Sequence, residues 1–276
     1  MNMVPEGQVA PPSRERDRVP RVHVESLGAG PPLVLLHGWG LHAGLFAPLL
    51  PALCRQFRVH AVDLPGHGHS APVAPLTLDA LVDAVRGAVE EEGAPLRVLG
   101  WSLGGQVAMR WAMRERGRIA RLALVATTPR FVACPDWEPA MDAGTLRRFG
   151  DELAVSWRVT MQRFLALQVH GSDAGRATLA ALRDLLLSRV EPPPDALADA
   201  LALLASTDLR DRVHAIAAPT LVVSGERDLI APAAAGAWLA AALPDARYVC
   251  IAGAAHAPFL SHRAAFDAAL EPFLDG

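Results

Sequence analysis

The chain has 276 residues, 51 % hydrophobic but only 5 % aromatic, and a net charge of −3. That length suits one large α/β core carrying an insertion, its interior built from Ala, Leu and Val as in helix-covered parallel sheets. The weak negative charge excludes the basic field that a nucleic-acid binder needs, so no nucleic acid is expected as a partner.

Residues 1–20 carry Pro5, Pro11, Pro12 and Pro20 among charged side chains and lack the apolar stretch of a signal peptide. They read as a disordered extension of a cytoplasmic protein. From there, apolar bursts of strand length recur at Val22–Glu25, Leu33–Leu36, Val59–Val62, Leu96–Leu99 and Leu122–Val125. Runs of this kind read as buried parallel strands. Leu76–Glu92 and Gly104–Arg116 between them fit helices, and the alternation predicts a mostly parallel, doubly wound sheet.

The rhythm stops after Val125. Residues 128–209 read as helical and strand-free, with helices over Thr145–Gln168, Ala174–Arg189 and Asp195–Ala205, the last two separated by Pro192, Pro193 and Pro194. Strand signals then resume at Thr220–Val223 and Tyr248–Ile251, with helices over Pro232–Leu243 and from Arg263 onward. One sheet is therefore interrupted by a helical cap: the core is expected over 21–127 and 210–276, the cap over 128–209. Within Thr145–Gln168, the spacing of Leu153, Trp157, Met161, Phe164, Leu165 and Gln168 marks one helix face, expected to look down on the site.

Chemistry concentrates at strand ends. Gly100-Trp101-Ser102-Leu103-Gly104 follows a strand and opens a helix, the setting of a nucleophile elbow. A serine at such a junction could also merely cap the helix. To become a nucleophile at neutral pH it needs a base and an acid to orient that base. Asp228 follows the strand at Thr220–Val223 and His256 follows Tyr248–Ile251, so Ser102, Asp228 and His256 form the catalytic set in the order that α/β-hydrolase folds use. Glu226 is the competing acid. The backbone N–H groups of Trp39, in His37-Gly38-Trp39-Gly40, and of Leu103 are the expected oxyanion donors. The Trp39 and Trp101 side chains are candidates for walls of the acyl pocket.

His67 and His69 sit in a glycine-rich turn that reads as a solvated loop, with no third ligand spaced to complete a metal site. Cys54, Cys134 and Cys250 lie far apart with no CxxC pair. No metal or organic cofactor is expected. No apolar run reaches the ~20 residues that span a bilayer, so no membrane is expected as a partner either.

Several segments together carry a family resemblance: Leu35–Leu41, Val62–Gly68, Gly100–Gly105, Arg163-Phe164-Leu165-Ala166-Leu167-Gln168, Asp208-Leu209-Arg210 and Ala255–Phe259. In this order the chain resembles the biotin-synthesis carboxylesterases, which hydrolyse the methyl ester of pimeloyl-[acyl-carrier protein]. The glycine-rich pieces recur across many hydrolases; the cap motif at Arg163–Gln168 is more telling. The resemblance implies an acyl site formed by Trp39, Ser102, Leu103, Phe164, Leu165, Ala166, Leu167 and Gln168. It also implies docking of an acidic acyl-carrier protein on cap arginines. Arg163 and Arg176 match the family's positions, while Val159 and Ala180 stand where two more arginines are expected, with Arg158 and Arg183 displaced nearby. Residues 145–190 hold seven arginines against four acids, a patch suited to steering an anionic partner. A monomer is expected. Without the cap motif, the same residues would serve a short-chain esterase, a lactonase, a carbon–carbon bond hydrolase or a non-catalytic ligand-binding scaffold.

Overall fold

A computed structural model describes residues 21–276 apart from 91 and 190; the extension expected over 1–20 lies outside them. Strands β1 (Val24–Leu27), β2 (Pro32–Leu36), β3 (Arg58–Val62), β4 (Leu96–Trp101), β5 (Ile119–Val125), β6 (Thr220–Gly225) and β7 (Ala246–Ile251) form one sheet. Its order is β1-β3-β2-β4-β5-β6-β7. All neighbours run parallel except β1, which pairs antiparallel with β3 at the sheet edge.

The first strand thus departs from the expectation of a buried parallel one, and Ser26 and Leu27 are exposed. The cause is the connection. Residues 28–31 are far too few for a parallel crossover, which needs a dozen or more. The chain instead turns back at Gly28 (φ 78°), where a Cβ would press on the Phe57 carbonyl.

Period-two alternation sends successive strand residues to opposite faces. Val34, Leu36, Val98, Leu122, Leu124 and Val222 join one apolar cluster, with α2 (Leu78–Ala88), α3 (Leu103–Arg114) and α7 (Ala233–Ala242) on that face. Leu33, Leu35, Leu99, Ala123, Val125, Leu221 and Val223 join the other, which is covered by α1 (Leu50–Leu53), α8 (Pro258–Ser261) and α9 (Arg263–Asp275). Local signals set the helix starts: Thr77 caps α2 by accepting from the Ala80 N–H at 3.0 Å.

Between β5 and β6 lie α4 (Ala143–Gln168), α5 (Gly175–Leu187) and α6 (Pro194–Ser206). Asp142 caps α4 through the Thr145 N–H at 2.7 Å. Residues 128–142, expected to be helical, are not. Pro129, Pro135 and Pro139 remove backbone donors there, and the segment folds back on itself through isolated pairings of Val132 with Met141 and Cys134 with Trp137. The long helix α4 is broken at Ser156, whose φ of −153° and ψ of 76° are not helical. Leu153, Met161, Phe164, Leu165 and Gln168 are buried as the spacing predicts, whereas Trp157 is half-buried, its ring 4.9 Å from the Arg158 guanidinium. Among the described residues, no helix is long and apolar enough to cross a membrane.

A buried ion pair ties this helical layer to the sheet. Arg189, just past α5 and 9 % exposed, reaches Asp63, which is fully buried beyond β3, and Glu25 on β1. Asp63 also accepts from the Ala43 N–H at 2.8 Å and the His69 N–H at 2.9 Å. Burial pushes the Asp63 carboxyl up, but these two amides and the Arg189 guanidinium act against it and hold it below the ordinary carboxylate range. Removing one partner of a buried pair strands the other charge, so Asp63→Asn should lower unfolding free energy by about 3 kcal/mol or more at pH 7. The group's depressed folded-state pKa adds stability above its unfolded value of about 4, and that stability is lost as pH falls. Urea denaturation across pH should therefore show the gap between wild type and Asp63→Asn closing below about pH 4.

Candidate active site

Three strand ends converge. Ser102 follows β4 with φ 56° and ψ −118°, a backbone conformation that L-residues rarely adopt. It is held there by its own N–H on the Val125 carbonyl (3.0 Å) and by the Thr127 hydroxyl, which donates to its carbonyl at 2.7 Å. The flanking glycines are needed for clearance. A Cβ on Gly100 would strike the Gly104 carbonyl, and one on Gly104 the Leu36 carbonyl. Ser102 occupies the N-cap position of α3, yet its hydroxyl makes no capping bond. It meets His256 Nε2 instead, at 3.0 Å.

His256 lies beyond β7, 1 % exposed, and its Nδ1 is 2.8 Å from Asp228 Oδ2. The other carboxylate oxygen of Asp228 accepts from the N–H groups of Ile230 (2.8 Å) and Ala231 (3.0 Å). With both oxygens engaged, the carboxylate fixes the Nδ1–H tautomer and leaves Nε2 free to accept a proton from serine. Glu226, the competing acid, is 55 % exposed and accepts from the Gly253 N–H at 2.9 Å, away from His256.

The loop after β2 lies against the serine: a Cβ on Gly38 would be 3.1 Å from Ser102 Cβ. Among the described residues, neither the Trp39 N–H nor the Leu103 N–H donates to a protein acceptor, so both remain available to an oxyanion. His37 holds this loop. Its Nδ1 donates to the Gly38 carbonyl (2.8 Å) and its Nε2 accepts from the Leu64 N–H (2.9 Å), joining the loops after β2 and β3. Burial, together with nearby His67, pushes the His37 imidazole down to about 3. It stays neutral, as its acceptor role requires. The sequence reading gave His37 no function, although its place next to the oxyanion loop was visible.

His67 corrects the solvated-loop expectation. It is 2 % exposed and packs edge-on to His37 with ring centroids 5.3 Å apart, while His69 is exposed. Trp39 lines the cavity above Ser102: its indole donates to the Leu197 carbonyl on α6 (2.9 Å) and meets the Phe164 ring edge-on at 4.8 Å. Trp101 does not. Strand alternation turns it to the opposite face, where its indole donates to the His256 carbonyl at 2.7 Å and supports the histidine loop from behind.

The cavity over Ser102 is bounded by Trp39, Phe131, Met141, Leu146, Phe164, Leu201, Leu204 and Ile230, and its volume of about 20 Å³ holds roughly one water. Of the run Phe164–Gln168, only Phe164 forms its wall. A helix turns once every 3.6 residues, so five consecutive side chains cannot share one face. Leu165 joins the other apolar cluster, Ala166 is exposed, and Leu167 is half-buried. Gln168 is buried, and its carbonyl accepts from the His256 N–H at 3.0 Å. Phe131, Met141, Leu146, Leu201, Leu204 and Ile230 were absent from the sequence reading because they come from separate segments with no shared motif.

The profile of the α/β hydrolase fold matches residues 31–263. The chain belongs to this family. It is 44 % identical over 254 residues to a protein of Xanthomonas axonopodis named pimeloyl-[acyl-carrier protein] methyl ester esterase, covering 92 % of this chain and 98 % of that one. A Chromobacterium violaceum protein of the same name is 43 % identical, covering 91 % and 97 %. Among solved structures, the enol-lactonase of Burkholderia xenovorans superposes with a TM-score of 0.82 at 27 % identity, covering 94 % of this chain and 98 % of that one.

The four arginines expected to dock a partner are all on α4 and α5 and all exposed. Two are engaged within the chain: Arg158 with Glu191 (2.7 Å) and Arg163 with Glu152 (2.7 Å). Among the described residues, no group of three or more His, Cys, Asp or Glu side chains is arranged to hold a metal ion. Because a methyl at residue 104 has no room beside Leu36, Gly104→Ala should destabilise the protein by about 1–3 kcal/mol. Thermal unfolding measures this, and an unchanged melting temperature would contradict the close packing at the elbow.

Proposed function

We propose that the chain is a serine carboxylesterase that removes the methyl ester from pimeloyl-[acyl-carrier protein]. The observation that carries this reading is the unbroken hydrogen-bonded line from Ser102 through His256 to Asp228, in a chain whose near full-length relatives bear that esterase's name.

In this reading, Ser102 Oγ attacks the ester carbonyl while His256 Nε2 takes its proton, and Asp228 stays ionised against the imidazolium. The developing oxyanion is bound by the N–H groups of Trp39 and Leu103; losing one such donor typically costs ~10²–10³ in turnover. His256 passes its proton to the departing methoxide, releasing methanol. Water, deprotonated by the same histidine, then attacks the acyl-enzyme, frees the carboxylate and restores Ser102. Trp39 and Phe164 hold the acyl chain. Gln168, one helical turn beyond Phe164, contributes a buried side-chain amide with no partner among the described residues. Arg158, Arg163, Arg176 and Arg183 receive the acidic carrier protein, the first two by exchanging Glu191 and Glu152 for carrier carboxylates.

Ser102→Ala should abolish both ester turnover and labelling by a fluorophosphonate, and Asp228→Asn should lower kcat by roughly 10³–10⁴ through loss of the correct imidazole tautomer. The substrate is tested by kcat/KM on the carrier-linked pimeloyl methyl ester beside methyl acetate; equal values would overturn the assignment. Arg176→Glu combined with Arg183→Glu should raise KM for the carrier-linked ester several-fold at low ionic strength and less in high salt.

A further inference from the structure

The cavity over Ser102 is too small for an acyl chain and its carrier linkage, yet it is not isolated. A groove of about 390 Å³ runs outside it between α4 and α6, lined by Val132, Ala143, Leu146, Gly150, Ala198 and Leu201 among others, with Arg147 and Asp151 also on its wall. Two residues line both spaces: Leu146 of α4 and Leu201 of α6. The loop before α4 is divided in the same way, with Phe131 facing the serine cavity and the adjacent Val132 facing the groove. A second depression along α4, which meets the groove at Asp151, offers a contrast. It is lined by Val155, Ser156, Val159, Thr160 and Arg163 among others and shares no residue with the serine cavity.

We infer that the long acyl substrate reaches Ser102 by the groove between α4 and α6, with Leu146 and Leu201 as the gate that its chain parts. This rests on the esterase reading above and adds the route and the residues that set chain-length preference. The gate consists of two leucine side chains from different helices, so rotation about their side-chain bonds opens it without moving the sheet or the serine. A groove with an apolar floor leading to a small apolar cavity binds a hydrocarbon chain through area removed from water. A short acyl group needs little more than the inner cavity once the gate leucines turn aside, whereas a long one must also occupy the groove. The selectivity for long chains therefore comes in part from groove side chains such as Ala198, which do not line the serine cavity.

The test compares kcat/KM for p-nitrophenyl decanoate and p-nitrophenyl acetate in the full-length enzyme. Ala198→Trp, which fills the groove from an exposed position on α6, should lower the decanoate-to-acetate ratio by about tenfold or more, mostly through KM. Leu201→Ala, which widens the gate, should raise that ratio. Val155→Trp, in the second depression along α4 and 88 % exposed in the wild type, should change it by less than about twofold. An unchanged ratio in Ala198→Trp, or a drop produced by Val155→Trp in its place, would overturn the route. Thermal unfolding of each variant establishes that a loss is not a failure to fold. Both esters lack a carrier, so a wild type indifferent to the carrier-linked pimeloyl ester would defeat the substrate assignment while leaving this comparison intact.

Discussion

Ser102 is held in a backbone conformation that costs of order 1–3 kcal/mol, and the rest of the site is arranged around the strand ends that enforce it. Its φ of 56° turns the chain sharply from β4 into α3, which projects the hydroxyl above the sheet. Hydrogen bonds to Val125 and from Thr127 hold it from the neighbouring strand end. Gly100 and Gly104 allow the backbones to approach closely enough for these bonds to form. The large apolar clusters on both faces of the sheet supply the stability against which this local strain is small.

The histidines around this point have opposite assignments despite similar burial. His256 faces a carboxylate and a hydroxyl, which suits it to accept and return a proton. His37 faces a carbonyl and an N–H, and burial holds it neutral, so it acts as a rigid connector between two loops. What separates the two is the chemistry of the hydrogen-bond partners.

The helical layer closes over the serine and is tied down at two kinds of contact. Polar ones join it to the sheet: Arg189 to Asp63 and Glu25, and the Gln168 carbonyl to the His256 N–H. Apolar ones, Phe164 on Trp39 and the leucines of α4 and α6, shape the cavity. The polar contacts fix where the layer sits, while the apolar ones can rearrange locally, which is the division of labour a cover over a reaction site requires.

The alternation of apolar runs, the glycines around Ser102 and the order of Ser102, Asp228 and His256 were legible in the sequence, because strand burial and tight turns are local constraints with fixed residue spacings. The helix starts at Thr77 and Asp142 follow from the same kind of local chemistry. Pairing direction at β1, the burial of His67 and the turn of Trp101 away from the cavity depended on neighbours distant in sequence. The same holds for the cavity wall: Phe131, Met141, Leu146, Leu201, Leu204 and Ile230 meet over Ser102 only when α4 and α6 are set on the sheet. The sequence by itself determined the sheet's alternation and the residues at its strand ends, since each is imposed by backbone geometry over a few positions. Which side chains surround the serine, and through what opening a chain reaches it, was decided by the tertiary structure alone, because packing between helices depends on shapes that no spacing encodes.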